Sequence, residues 1–158
     1  MSEGGQQVDL MQLQLPQLNV LKEQLDQEME MMQSSLQQLK IAQSRFVESS
    51  ESIGKLNSDN DGKEMLVPLT SSLYVPGKLQ DVNNVLIDIG TGYYVEKSLE
   101  ESKKYFKRKI EFVTKQMEKV QPILIEKSKM RQIVMDVMNM KIQTQMASMQ
   151  GQQKPVAS

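Results

Sequence analysis

Two stretches decide the fold: LVPLTSSLYVPGKL, residues 66–79, and VLIDIGTGYYVEKS, residues 85–98. Both stand near the middle of a 158-residue chain. In the second, Val85, Ile87 and Ile89 alternate with Leu86 and Asp88, the period of a strand. The glycine-flanked GTG at 90–92 then reads as the turn of a hairpin running into YYVEK. In the first stretch, TSS separates MLVPL from SLYVPGKL, which places another hairpin turn at residues 70–72. Pro68 and Pro76 lack the N–H that a central strand needs, so they limit where these strands pair.

Outward from this centre the period changes. From Leu18, steps of seven meet Leu25, Met32, Leu39, Phe46 and Ile53, all apolar. Leu21, Met29, Leu36, Ala42 and Leu56 form a companion column that drifts by one residue. A sustained seven-residue apolar repeat predicts a helix packed along a partner helix. Roughly 40 residues at a rise of about 1.5 Å give a length near 60 Å, so this helix should project beyond a small globule. Pro16 suits its first turn, and NSDNDG at 57–62 ends it. On the other side, Ser98 and Glu101 form a capping box that opens a second helix. Its ladder is Leu99, Phe106, Ile110, Val113, Met117, Val120 and Leu124, interrupted by Lys103. Beyond it comes a looser seam of Val134, Met138, Ile142 and Met146, into which Lys127, Arg131 and Lys141 intrude. Pro122 should kink this helix or mark a join.

The expected fold is mainly α with a small β region: a long antiparallel helical coiled coil joined by two β-hairpins. The organisation is a flexible N-terminal tail (1–8), a first helix (9–57), the hairpins (58–97), a second helix (98–149) and a flexible tail (150–158).

Composition agrees with long helices. The chain is 39% hydrophobic and 25% charged, with 4% aromatic residues, no Trp and 13 Met. A net charge of -1 provides no global field towards nucleic acid or anionic lipid, so neither is an expected partner. Absent Cys excludes disulfides and thiol chemistry, and absent His removes the commonest general base and metal ligand. No apolar run reaches about 18 residues, so a membrane span is not expected. The N-terminus lacks the basic and apolar regions of a signal peptide. A cytoplasmic protein, also able to be nuclear, is the expectation, with no cofactor, no metal and no enzymatic activity.

Two helices can bury their stripes against each other, but two hairpins alone are marginal in water. Leu66, Leu73, Tyr74, Val85 and Ile87 cannot all be covered within one chain, so residues 64–97 should pair with hairpins of other chains in an obligate oligomer. At the other end of the helix pair, Leu10, Met11 and Leu13 approach Met138, Met140, Ile142, Met146 and Met149. In IVMDVMNM, 133–140, apolar residues cover more than one helix face. Met at helical spacing is most often core; an apolar patch wider than one seam, built of adaptable Met, is also suited to contact with non-native protein surfaces.

The two opening stretches closely resemble the hairpin region of α-class prefoldin subunits. GTGYYVEKS leading into the second helix and KQMEKVQP at 115–122 add to the resemblance, which covers about residues 9–145. It implies a heterohexamer of two α-class and four β-class subunits, whose hairpins assemble into a double β-barrel from which six coiled coils hang. It further implies ATP-independent capture of unfolded actin and tubulin at the coiled-coil tips and delivery to the cytosolic group II chaperonin. The assembly residues would be Leu66, Val67, Leu69, Leu73, Tyr74 and Val75 in the first hairpin. In the second they would be Val85, Leu86, Ile87, Ile89, Tyr93, Tyr94 and Val95.

Rival readings are weaker. DIGTG at 88–92 lacks the spacing and the terminal Lys-Ser/Thr of a phosphate-binding loop. KKYFKRK at 103–109 reads as a solvated helix face with Phe106 inward. A coiled-coil tether acting as a nuclear transcriptional cofactor is the alternative function, but a tether has no need of two hairpins.

Overall fold

The computed structural model describes residues 9–151; the tail expected at 1–8, and residues 152–158 of the tail expected at 150–158, lie outside the described residues, while the second helix runs on to Gly151. The elements are helix α1 (Leu15–Gly54), strands β1 (Glu64–Pro68), β2 (Tyr74–Lys78), β3 (Asn84–Gly90) and β4 (Tyr93–Ser98), and helix α2 (Leu99–Gly151). β1 pairs antiparallel with β2, and β3 with β4, as two separate two-stranded sheets. This is the coiled-coil-plus-hairpins architecture that the two periodicities predict.

The helix starts and stops follow local chemistry. Asp9 caps a turn by accepting from the Met11 N–H at 3.0 Å, and α1 begins only at Leu15, with Pro16 in its first turn. After Gly54, a short 3-10 turn at Ser58–Asn60 is held by Asn57, whose side chain accepts from the Asp59 N–H while Asn60 accepts from the Asn57 N–H. Helix α1 is therefore shorter at both ends than 9–57. At α2 the capping box forms: Ser98 N–H donates to Glu101, and Glu101 N–H donates to Ser98 Oγ, both at 3.3 Å. Helix α2 runs through Pro122 without interruption. Pro122 is exposed, so its ring meets no neighbouring helix and its cost is the lost N–H to the carbonyl four residues before.

The chain divides into two units, one taking the residues up to Gln37 and from Glu118 onward, the other Gln38–Met117. In the first unit Leu18 and Val134 are fully buried, with Leu25 and Val137 beside them. Leu10, Leu13, Leu21 and Met138 pack against this cluster. The cations expected to loosen the seam reach across it instead. Lys127 pairs with Glu28, and Arg131 with Asp26, which Lys22 also holds at 2.9 Å. Lys141 Nζ donates to the Met11 carbonyl at 2.7 Å. Residues later in α2 thus meet residues earlier in α1, which fixes an antiparallel pairing. Long side chains lying along the seam keep their charged heads at its edge.

In the second unit, Ile53, Ile87 and Phe106 form the core, with Phe46, Val85, Leu99 and Tyr105 packed against it. Phe46 and Phe106 stack tilted with centroids 6.2 Å apart. Gln43 donates to Thr114 Oγ1 across the helices at 2.7 Å. The seam is not interrupted at Lys103. It passes through Ser102, which is fully buried and donates to the Ser98 carbonyl at 2.7 Å, while Lys103 stays outside beside Glu100. A small, satisfied hydroxyl fits where a larger side chain would hold the backbones apart.

Two outcomes follow for the first unit. Leu18→Ala should cost about 2–5 kcal/mol in urea unfolding followed by helical circular dichroism, because a fully buried side chain leaves a cavity. Val20→Ala, exposed on the same helix, should stay within about 0.5 kcal/mol. Secondly, hydrogen bonds from Lys22 and then Arg131 hold the Asp26 carboxyl below its ordinary 3.8, and Lys127 and then Gln24 hold Glu28 below 4.5. Depressed carboxyl values stabilise the folded form above pH 4.5, and that contribution is lost as the pH falls through the lowered values. Asp26→Asn with Glu28→Gln should flatten this acid limb of an unfolding-versus-pH curve; an unchanged limb would remove these pairs from it.

Candidate functional site

The hairpin β1–β2 carries apolar side chains on both faces. Its register sets Leu66 opposite Pro76 and Pro68 opposite Tyr74 on one face, and Met65 opposite Gly77 and Val67 opposite Val75 on the other. A sheet exposed on one side alternates apolar with polar residues; one covered on both sides reads as a continuous apolar run, as MLVPL does. Yet all of β1 is exposed, and β2 almost entirely so. Leu66 is 64% exposed, Tyr74 52% and Val75 37%. The turn is ordered: Leu69 N–H donates to the Leu73 carbonyl at 2.8 Å, and Thr70 Oγ1 accepts from the Leu73 N–H at 3.1 Å. Leu69 and Leu73 nonetheless project their side chains into solvent. At Gly77 a Cβ would stand 3.1 Å from Val67 Cγ2, so the bare glycine lets the Val67 methyl lie over β2.

The hairpin β3–β4 is covered on one face only. Ile87 is buried against Ile53 and Phe106, and Val85 packs beside it. These two expected assembly residues are therefore occupied by the chain's own helices, because strand alternation turns them inward. Leu86, on the opposite face, is 70% exposed, and Tyr94 62%. Val95 is opposite Ile87 and half open. A bulge between Asp88 and Gly90 leaves Ile89 outside the pairing and exposed. The turn residues Thr91 and Gly92 both have positive φ, 54° and 81°, as a two-residue primed turn requires. Thr91 is strained there, and Asp88 supports the approach by accepting from the Gly90 N–H at 2.8 Å. Tyr93, at the turn's exit, is 69% exposed.

Beside β3 lies an open groove of about 840 Å³, floored by Phe46, Ile53, Ile87 and Phe106. The hydroxyls of Ser49 and Ser52 in it donate to carbonyls of their own helix at 2.8 Å, so neither is poised against a base. Among the described residues no cluster of three or more acidic side chains could hold a metal ion. The groove carries Phe46, Ile53 and Phe106 beside the apolar surface of the hairpins, with Arg45, Glu48, Asp88 and Lys109 at its edges.

In the first unit the expected capture residues separate into two groups. Leu10, Leu13 and Met138 pack on the helix-pair core. Met11, Met140, Ile142, Met146 and Met149 are exposed, Met149 to 73%. Exposed apolar residues also lie along α2 at Ile123, Met130 and Ile133, spaced seven and three apart. Val137, four residues beyond Ile133, is instead buried in the core.

Comparison with known proteins places these features in context. A protein-family model described as "Prefoldin subunit" matches residues 25–152. The chain is 58% identical to "Prefoldin subunit 5" of Homo sapiens over 139 residues, covering 88% of this chain and 90% of that one. It is 43% identical to "Probable prefoldin subunit 5" of Drosophila melanogaster over 150 residues, covering 95% and 89%. Among solved structures, a chain of filamentous PFD from Methanocaldococcus jannaschii aligns with a TM-score of 0.61, covering 73% of this chain and 97% of that one. At 20% identity that likeness speaks for the fold.

Proposed function

The chain belongs to the prefoldin family, and from that premise we propose that it is an α-class subunit of a heterohexameric, ATP-independent co-chaperone. The hexamer contains two α-class and four β-class subunits. It captures unfolded proteins such as actin and tubulin in the cytoplasm and passes them to the cytosolic group II chaperonin. The observation that carries this reading is β1–β2: an ordered hairpin, apolar on both faces, with cover on neither. Strands of neighbouring subunits provide what it lacks, both as ladder partners for its edges and as apolar cover. Leu86, Ile89, Tyr93 and Tyr94 extend the same surface onto the second hairpin.

Capture is assigned to the exposed group Met11, Met140, Ile142, Met146 and Met149, with Leu10, Leu13 and Met138 as the packed floor that holds them. Unbranched, polarisable thioethers fit apolar surfaces of many shapes. Each contact is weak, but six coiled coils around one client raise the effective concentration of the next contact. Release by competition then needs no nucleotide.

Leu66→Asp with Leu86→Asp should leave the helical signal of the isolated chain intact, since both side chains are exposed, and should abolish co-assembly with the other five subunits in native mass spectrometry. Co-assembly at wild-type yield would refute the interface. Met140→Asp, Met146→Asp and Met149→Asp together should preserve the hexamer and reduce its suppression of actin aggregation several-fold. Unchanged suppression by an intact hexamer would refute the capture assignment.

A further inference from the structure

We propose that Met140, Met146 and Met149 are a peroxide-sensitive modification site whose oxidation weakens client capture; the second half rests on the capture reading above. The chain has no Cys, so thioethers are its only readily oxidised sulfur. They are unevenly presented. Met140 is 50% exposed, Met146 60% and Met149 73%, all within one stretch of α2. Met138, two residues before Met140, packs against the cluster of Leu18 and Val134 and is half-buried, as are Met29 and Met32 in α1. A hydroperoxide therefore reaches the three late methionines ahead of those in the seam; Met11, Met31, Met65 and Met130 are exposed too, but scattered along the chain, whereas Met140, Met146 and Met149 fall together.

The local composition gives the modification its effect. From Ile142 to Met149 the sequence IQTQMASM contains no charged residue, and its apolar surface is Ile142, Ala147 and the two thioethers. In the reaction a sulfur lone pair attacks the peroxide oxygen; an S–O bond forms and the O–O bond breaks. The thioether loses two electrons to become a sulfoxide, and the peroxide is reduced to water. The product is polar and chiral where the reactant was flexible and apolar, and methionine sulfoxide reductases reverse it. Capture resting on these side chains would thus fall under oxidative conditions and return on reduction, with the helix seam intact because its own methionines are screened.

The test treats the assembled hexamer with dilute hydrogen peroxide and follows each methionine by peptide mass spectrometry. Met140, Met146 and Met149 should gain one oxygen several-fold faster than Met138, Met29 and Met32; equal rates would overturn the site. In parallel, suppression of actin aggregation should fall several-fold after treatment and recover with the reductases. A variant with Met140→Leu, Met146→Leu and Met149→Leu, which keeps size and apolarity, should suppress as well as wild type and resist peroxide. Loss of suppression in that variant equal to wild type's would place the sensitive residue elsewhere and overturn the effect. An untreated hexamer that fails to suppress aggregation would defeat the capture reading itself and with it the effect on capture, while the oxidation rates would still decide the site.

Discussion

A two-stranded sheet cannot cover itself, and the rest of this structure is arranged around that constraint. Burial of a Leu, Val or Tyr-sized side chain contributes about 1.5–3 kcal/mol. The hairpin β1–β2 forgoes that several times over, since Leu66, Val67, Leu69, Leu73, Tyr74 and Val75 are all exposed. The second hairpin shows the alternative. Its inner face is roofed by Ile53 and Phe106, and its outer face is left open with Leu86 and Tyr94. One hairpin is thus half-anchored to the helices and the other not at all. The open surfaces belong to residues whose types, β-branched, aromatic and Leu, are those of a buried sheet.

The helices contribute a different kind of specificity. In each unit a narrow apolar seam holds α1 against α2, and polar groups at its edge settle the alignment. Gln43 with Thr114 does this in one unit; Lys127 with Glu28 and Arg131 with Asp26 do it in the other. These groups are partly exposed, so their contribution to stability is small. Their value lies in register: sliding α2 by one turn would part Lys127 from Glu28 and Arg131 from Asp26. A fixed register keeps Met140, Met146 and Met149 at a constant place on α2 relative to the Leu18 core, where they remain uncovered.

Much of this was legible in the residues. The seven-residue repeat from Leu18, the capping box at Ser98 and the glycine turn at 90–92 each state a local conformation, and the structure has all three. What stayed hidden depends on tertiary neighbours. Alternation in β3 sorts Ile87 from Leu86 but cannot say which side a helix will cover. Ser102 gives no hydrophobic signal, so a seam that runs through it reads as broken at Lys103. Val137 looked like part of an over-wide patch because nothing in one helix tells where its partner lies. Lys127 and Arg131 looked like intruders until Glu28 and Asp26 appeared opposite them. The Met-rich group at Met140–Met149 has a composition with two uses, core and contact, and exposure is what separates them.

The central claim is that β1–β2 becomes covered by other chains. Amide hydrogen exchange across residues 64–78, measured for the isolated chain and again after mixing with the partner subunits, tests it most directly. The account predicts strong new protection there, with the core around Leu18 and Val134 unchanged. Equal exchange in the two states, in a sample where assembly is confirmed, would contradict it.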